Sequence, residues 1–242
     1  MQDMNQSVDA IASNLFRVRQ SIAEVAHTCA GSSDAIRLIA VSKGHQPSAI
    51  ATAIAAGQKD FGESTTQDAL PKISQLANPS IDWHFIGHLQ TNKAKFIPGN
   101  FSWLHSLDNL DLARKISRRA QEVSANINIL IEVDVSRDPK KHGIAPDALP
   151  DFIEQLLKEN LPALSLRGLM TIGPHAAPEK EIRGCFAKLR GLRDECRQRY
   201  ALPGFTELSM GMSGDYVEAI KEGATMLRVG TAIFGDRDYS QK

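Results

Sequence analysis

Short apolar runs alternate with longer amphipathic stretches along most of the chain. Eight runs have the length and composition of buried β-strands, and they occupy positions 38–43, 60–63, 83–89, 103–107, 128–135, 166–172, 206–212 and 226–234. Six stretches with the apolar spacing of helices separate most of them, at 47–56, 65–77, 110–122, 146–159, 178–199 and 215–222. The connection between the third and fourth runs, 91–97, is shorter.

This alternation predicts a closed barrel. Strands that alternate with helices form parallel βαβ units, and eight such units form a (β/α)8 TIM barrel. Residues 7–30 place apolar side chains at helical spacing, which predicts an extra N-terminal helix before the first strand. We expect a single domain over residues 1–242. The alternative is an open doubly wound sheet, although no GxGxxG turn follows the first run.

Composition narrows the functional classes. The 242 residues are 42% hydrophobic and 23% charged, which is ordinary for a soluble globular protein. The 28 basic and 28 acidic residues cancel, so no strong field favours nucleic acid or an anionic membrane surface. The first 20 residues lack an apolar secretory segment, and three cysteines without a CxxC motif are typical of free thiols. We therefore expect a cytoplasmic protein that binds neither nucleic acid nor membranes.

Lys43 is the most informative single residue. It closes the first apolar run, and a barrel directs the last residues of its strands into one shared site. Burial at such a position lowers the pKa of a lysine and leaves a nucleophilic amine, which is the state that forms a Schiff base with an aldehyde. The alternative is a lysine that ends the strand in solvent.

The ends of the last two runs predict a phosphate site. Ser213 and Gly214 stand just before the helix that begins near Asp215, and Gly230 and Thr231 lie in the last run. Barrels often bind phosphate after these two strands through backbone N–H groups, and a glycine lets the backbone approach an anion closely. The alternative is that Ser213 is only a helix N-cap and Gly230 only a packing residue.

Arg228 lies two positions before Gly230, so both are expected to face the same side of the last strand. An arginine inside a barrel needs a hydrogen-bond acceptor, and a neutral pyridine nitrogen would serve. Pyridoxal phosphate (PLP) would then use Lys43 for its aldehyde, Arg228 for its ring nitrogen and the phosphate site for its phosphate. The alternative is that Arg228 pairs with Glu63 or Asp134.

Six segments add a specific combination of motifs that extends over nearly the whole chain. They are Ala40-Val41-Ser42-Lys43, Phe61-Gly62-Glu63, Trp83-His84-Phe85-Ile86-Gly87-His88-Leu89-Gln90-Thr91-Asn92-Lys93, Arg167-Gly168-Leu169-Met170, Leu208-Ser209-Met210-Gly211-Met212-Ser213 and Arg228-Val229-Gly230-Thr231-Ala232-Ile233-Phe234-Gly235. With these motifs in this order, the chain resembles the YggS/PROSC family of pyridoxal phosphate homeostasis proteins, which are relatives of the alanine racemase N-terminal domain.

The resemblance implies an alanine racemase N-terminal-like barrel that carries PLP as an aldimine of Lys43. It implies phosphate contacts from Ser213, Gly230 and Thr231, and it places Arg228 by the ring nitrogen. The predicted cofactor-binding residues are Lys43, Met212, Ser213, Arg228, Gly230 and Thr231.

Four positions need comment against the family pattern. Ser64, Asp134 and Gly214 stand where the family commonly has Asn, Asn and Asp, and neither Ser64 nor Gly214 removes a group that PLP binding requires. Lys141 begins a segment that resembles the family's Lys-x-Gly loop. We interpret it as a solvated loop lysine, and the alternative is a contact with a departing cofactor.

We predict no metal site. His84 and His88 are four residues apart, but the apolar residues around them favour a strand, and no HExxH or cysteine-rich pattern completes a zinc site. We expect His84 to line the barrel and His88 to lie in a loop.

Three functions fit these residues: a PLP carrier, a PLP-dependent enzyme such as an amino-acid racemase, and a phosphate-binding barrel enzyme whose Lys43 attacks a carbonyl substrate. A related racemase takes its second proton-transfer base from a C-terminal β-domain of the partner subunit, whereas this sequence ends soon after the eighth run. We therefore expect a monomeric carrier that acts in PLP homeostasis without strong catalytic activity and serves recipient apo-enzymes. The racemase is the alternative.

Overall fold

Eight parallel strands close into a barrel in which each strand pairs with its neighbours in chain order and the last strand pairs with the first. The computed structural model describes residues 2–29, 35–138 and 141–236. The strands are β1 (Arg37–Val41), β2 (Asp60–Glu63), β3 (Asp82–Phe85), β4 (Trp103–Leu107), β5 (Ile127–Glu132), β6 (Leu164–Met170), β7 (Glu207–Ser209) and β8 (Met226–Val229). The prediction of a (β/α)8 TIM barrel is confirmed.

Helices occupy the connections between the strands. They are α1 (Gln2–Thr28), α2 (Pro47–Ala55), α3 (Thr66–Leu76), α4 (Leu110–Glu122), α5 (Leu149–Lys158), α6 (Glu179–Arg199), α7 (Tyr216–Lys221) and α8 (Thr231–Phe234), with 3₁₀ helices at Thr91–Phe96 and Pro146–Ala148. Helix α1 is the predicted extra helix. It buries Ile11, Leu15, Val18 and Ile22, which recur at helical spacing.

Two hydrophobic clusters stabilise the barrel. The larger one lies between the strands and the surrounding helices. The smaller one takes one side chain from each of five strands and therefore fills the barrel interior; its members are Ile39, Trp103, Leu130, Met170 and Met226. Full burial of such a side chain contributes about 1.5–3 kcal/mol to stability.

Six of the eight predicted strands end too late, and the runs 83–89 and 226–234 overshoot the most. The run 83–89 is a strand only as far as Phe85, because Gly87 turns so closely against the preceding strand's loop that an added Cβ would lie 2.1 Å from the Ser64 carbonyl oxygen. The run 226–234 is a strand only as far as Val229, and its remaining apolar residues form α8, which packs on α1. Periodicity could not separate these buried turns from strand.

Candidate functional site

Lys43 lies half-buried in a turn two residues beyond the end of β1, so it is not the last strand residue as predicted. Both of its neighbours are anchored to acidic side chains. The Ser42 hydroxyl donates to Glu63 Oε1 (2.6 Å), and the Gly44 N–H donates to Asp68 Oδ2 (2.9 Å). Gly44 has φ 77°, a backbone conformation that favours glycine. The backbone of Lys43 is therefore held from both sides.

A buried lysine joins these anchors. Lys72 lies on α3 with its side chain 5% exposed, and its Nζ donates to Glu63 Oε1, Asp68 Oδ2 and the Ser42 carbonyl oxygen, each at 2.9 Å. Burial raises the pKa of Glu63 to about 7, against the attraction of Lys72. The second carboxylate oxygen, Glu63 Oε2, has no hydrogen-bond partner among the described residues.

Ser213 and Gly230, which the sequence predicts in one phosphate site, are in direct contact. Ser213 Oγ accepts hydrogen bonds from the N–H groups of Gly230 and Ala232, both at 3.3 Å, so these donors converge on one oxygen at the start of α8. A Cβ on Gly230 would lie 3.2 Å from the Val41 carbonyl oxygen. The absence of a side chain therefore lets this cradle approach the end of β1, two residues before Lys43. Thr231 is exposed as the first residue of α8.

Arg228 lies inside the barrel and is 5% exposed. Its guanidinium donates from NH1 to Ser209 Oγ (2.6 Å) and from NH2 to the Thr171 carbonyl oxygen (2.9 Å). Burial lowers the pKa of Arg228 to about 10, although Asp215 and Glu132 oppose this effect. The alternative that Arg228 pairs with Glu63 or Asp134 finds no support, because both acceptors are neutral oxygens. Arg228 thus faces the barrel interior, and its predicted role at the ring nitrogen of PLP stays a prediction.

Two apolar side chains at the rim of the barrel are partly exposed to water. Met212 follows β7 and is 38% exposed, and Ile172 follows β6 and is 37% exposed. Lys141 is half-buried, and its Nζ donates to the carbonyl oxygens of Ile172 (3.2 Å) and Gly173 (3.0 Å). Lys141 is therefore bound to the rim and is not the solvated lysine that we expected.

The histidines lie where the sequence predicts. His84 is fully buried and stacks on Trp103 of the barrel interior, with ring centroids 5.7 Å apart. His88 lies in the loop after β3, where its donor atoms and those of Asp108 and His142 lie within 4.8 Å of one another. The imidazoles of His88 and His142 stack at 3.7 Å and 11°, so their lone pairs run parallel and do not converge on one ion. We assign no metal there.

Comparison with known proteins agrees with this geometry. The alanine racemase N-terminal domain pattern matches residues 7–238. A pyridoxal phosphate homeostasis protein of Pseudomonas aeruginosa is 40% identical over 232 residues, which cover 96% of this chain and 98% of that protein. The chain belongs to the pyridoxal phosphate homeostasis proteins of the alanine racemase N-terminal family.

Solved structures support the same family. PipY of Synechococcus elongatus PCC7942, solved with PLP bound, is 37% identical to this family member, with a TM-score of 0.82 over 93% of this chain and all of that one. An alanine racemase of Clostridium difficile shares the fold at 16% identity, with a TM-score of 0.74 over 94% of this chain and 57% of that one.

Among the described residues of this homeostasis-family protein, no helix has the length and apolar character that a membrane span requires.

The sequence did not predict several buried polar groups of this homeostasis-family barrel, and four of them bear on the site or on stability. They are Lys72, His105, Glu132 and Ser209. One signal was available: His105 stands in the apolar run 103–107 and Ser209 in the run 206–212, where a polar residue needs a partner. Lys72 gives no such signal, because a lysine on an amphipathic helix is usually a surface residue.

Glu132, at the end of β5, makes the stability of the fold depend on pH. Burial, together with the negative charges of Asp108 and Asp134, raises the pKa of Glu132 from 4.5 to about 7. The folded state therefore binds this proton more tightly than the unfolded state, and the contribution of Glu132 to stability falls as pH rises from about 4.5 to about 7.

Glu132→Gln should remove this pH-dependent loss of stability, because glutamine has no carboxyl proton to release. We expect its unfolding free energy to rise relative to the unaltered protein across that interval, by up to about 3 kcal/mol. Urea unfolding of both proteins at several pH values measures the difference. Stability curves that stay parallel from acid to neutral pH would contradict this account of Glu132.

Proposed function

We propose that this protein binds PLP, carries it covalently on Lys43 and acts in intracellular PLP homeostasis. The observation that carries the proposal is the meeting of three groups at one mouth of the barrel. These are the cradle of Ser213 with the N–H groups of α8, the buried cation Arg228, and the anchored turn of Lys43. The homeostasis names of the relatives and the PLP bound to PipY support it.

Each of these residues fits one part of the cofactor. Ser213, Gly230 and Thr231 would hold the phosphate, since converging N–H groups and hydroxyls suit an anion. Arg228 would donate to the ring nitrogen, and Lys43 would supply the amine. Met212 would contact the ring or the phosphate from the rim. The cofactor supplies an aldehyde that condenses with amines and a ring that withdraws electrons.

An arginine at the ring nitrogen and an open mouth favour a carrier over an enzyme. Arg228 keeps its own protons at neutral pH and donates a hydrogen bond without transferring a proton, which weakens the ring as an electron sink. Met212 and Ile172 are more than a third exposed, so water reaches the site. We infer that the protein has no strong catalytic activity and passes PLP to recipient apo-enzymes.

The cysteines and the exposed apolar side chains support a proposal for the location and the oligomeric state of the protein. Cys29, Cys185 and Cys196 are free, which is typical of a reducing cytoplasm, and we propose that the protein works there. The exposed large apolar side chains of the described residues lie on separate elements; they are Phe16, Val123, Leu157, Ile172 and Met212. Because these exposed side chains of the described residues are spread over separate elements, we propose a monomer.

Ser213→Ala should weaken PLP binding about ten- to a hundredfold, since one hydrogen bond to a charged group is lost. Equilibrium titration with PLP, followed by absorbance, measures the dissociation constant. Ser80→Ala is the matched control, because Ser80 is exposed at the opposite end of the barrel, before β3. An equal dissociation constant for Ser213→Ala and the unaltered protein would reject the phosphate role of Ser213.

A further inference from the structure

A continuous chain of side-chain hydrogen bonds crosses the barrel interior. Arg228 NH1 donates to Ser209 Oγ (2.6 Å), Ser209 Oγ bonds His105 Nδ1 (2.8 Å), and His105 Nε2 bonds His84 Nδ1 (2.9 Å). His84 Nε2 then bonds Asp60 Oδ1 (3.1 Å). These residues come from β8, β7, β4, β3 and β2, and Asp60 is the first residue of its strand. The chain therefore links the PLP side of the barrel with the opposite end.

Asp60 fixes the last bond of this chain. Its Oδ1 also accepts from Arg37 NH1 at 2.8 Å. Burial acts to raise the pKa of Asp60, but the hydrogen bond and charge of His84 and the charge of Arg37 outweigh it, and the pKa is lowered. At neutral pH Asp60 is a carboxylate, which only accepts hydrogen bonds. His84 must donate to it from Nε2.

The remaining bonds then have one possible direction. Burial lowers the pKa of both His84 and His105, so each ring is neutral and has one N–H. With its proton on Nε2, His84 accepts at Nδ1, and His105 must donate from Nε2 and accept at Nδ1. Ser209 must give its hydroxyl hydrogen to His105. Its oxygen is left with lone pairs only, which accept from Arg228.

This direction suits the charges at both ends. Each donor hydrogen points towards the Asp60 carboxylate, and each acceptor lone pair faces towards the Arg228 guanidinium. The chain is thus polarised by an anion at one end and a cation at the other, and hydrogen bonds in such chains strengthen one another. Ser209 and the Thr171 carbonyl hold Arg228 by NH1 and NH2. The described residues offer its other N–H groups no further hydrogen-bond acceptor, so these groups can donate to a ligand.

We propose that Ser209, His105 and His84 are positioning residues, which form a one-directional chain anchored on Asp60 and hold Arg228 as a fixed donor to the ring nitrogen of PLP. This inference rests on the proposed function. The inference extends that function by assigning a role to Asp60, which lies at the far end of the barrel and does not contact the cofactor site.

The direction of the chain can be tested without cofactor. In protein labelled with ¹⁵N-histidine, NMR distinguishes protonated from unprotonated ring nitrogens, and His105→Gln and His84→Gln assign the signals. We expect both rings at neutral pH to carry their proton on Nε2 and to lack one on Nδ1. A proton on Nδ1 of either ring, or a doubly protonated ring, would overturn the chain.

The positioning role is tested by titration with PLP. Ser209→Ala should weaken binding about tenfold and shift the visible absorption band of the bound cofactor, because Arg228 NH1 loses its acceptor and only the Thr171 carbonyl oxygen still holds the guanidinium. Asp60→Asn should shift the band in the same direction by less. Asp82→Asn is the matched control. Asp82 also lies near Arg37 (3.6 Å) at the same end of the barrel, but it makes no hydrogen bond to the side chains of the hydrogen-bonded chain. The absorption band of PLP bound to this variant should therefore not move.

The outcomes separate the two proposals. Unaltered protein that does not bind PLP would overturn the proposed function and, with it, the positioning role. Normal binding by the unaltered protein, with the same affinity and absorption band in Ser209→Ala, would overturn the positioning role alone. Equal shifts in Asp60→Asn and Asp82→Asn would show an effect of surface charge and would overturn the role of Asp60.

Discussion

Lys43→Ala is expected to abolish covalent retention of PLP after borohydride reduction. Reduction converts a lysine–aldehyde linkage into a stable bond, so mass spectrometry of the digested protein locates the amine that carried the cofactor. We expect the unaltered protein to carry the adduct on Lys43 and the variant to carry none. The fold should persist, because Lys43 lies half-buried in a turn outside the barrel core.

Weak non-covalent binding should survive in Lys43→Ala, since the cradle of Ser213 and the donor Arg228 remain. Lys59→Ala is the control, because Lys59 is exposed at the opposite end of the barrel. Two other lysines lie close enough to compete: Lys141 on the rim and Lys72 beside the Lys43 turn. An adduct that appears on either one in the unaltered protein would contradict the assignment to Lys43.

Lys72→Met should destabilise the fold by about 3–5 kcal/mol, which is the usual result of removing one partner from a buried ion pair. The change leaves Glu63 fully buried, with Ser42 as its remaining donor. It also removes the hydrogen bond that Lys72 donates to the Ser42 carbonyl oxygen. Urea unfolding measures the loss through the midpoint and the slope. PLP affinity should fall as well, because the turn of Lys43 loses one of its anchors.

The stability lost in Lys72→Met is caused by the burial of the ion pair rather than by its charge alone. An exposed ion pair of this protein provides the comparison. Lys115 and Asp111 form an ion pair of the same 2.9 Å length, but their side chains are 53% and 59% exposed. Lys115→Met should cost no more than about 0.5 kcal/mol. The double variant Lys72→Met/Glu63→Gln should recover part of the loss, since no carboxylate stays buried alone. Equal costs for Lys72→Met and Lys115→Met would contradict this explanation.

The barrel could be predicted from the sequence because strand and helix patterns alternate regularly, and short-range patterns decide each element. The ends of β3 and β8 could not be predicted, because apolar residues beyond them look like strand in the sequence. Leu89 is buried in a loop and Ile233 in α8. The same limit explains the wrong interpretation of Lys141, whose acceptors Ile172 and Gly173 lie 31 and 32 positions away in the chain.

The site was predictable only in its residue types. Motifs and strand ends placed Lys43, Ser213 and Arg228 at one face of the barrel, but hydrogen-bond partners between distant strands leave no local trace. Arg228 was expected to meet a carboxylate or a ligand, and it meets Ser209 and a main-chain oxygen. The sequence therefore identified Arg228 as a buried cation but not the groups that hold it.

The contact between Gly230 and Val41 lies at the seam where the last strand meets the first. The residues of the anion cradle follow the lysine turn by about 170 to 190 positions in the sequence, and the two become neighbours only when this seam closes. During synthesis the pocket therefore cannot exist before β8 has been made and docked. Ligand occupancy then reports a completed fold, and a bound ligand stabilises the pairing of the last strand with the first.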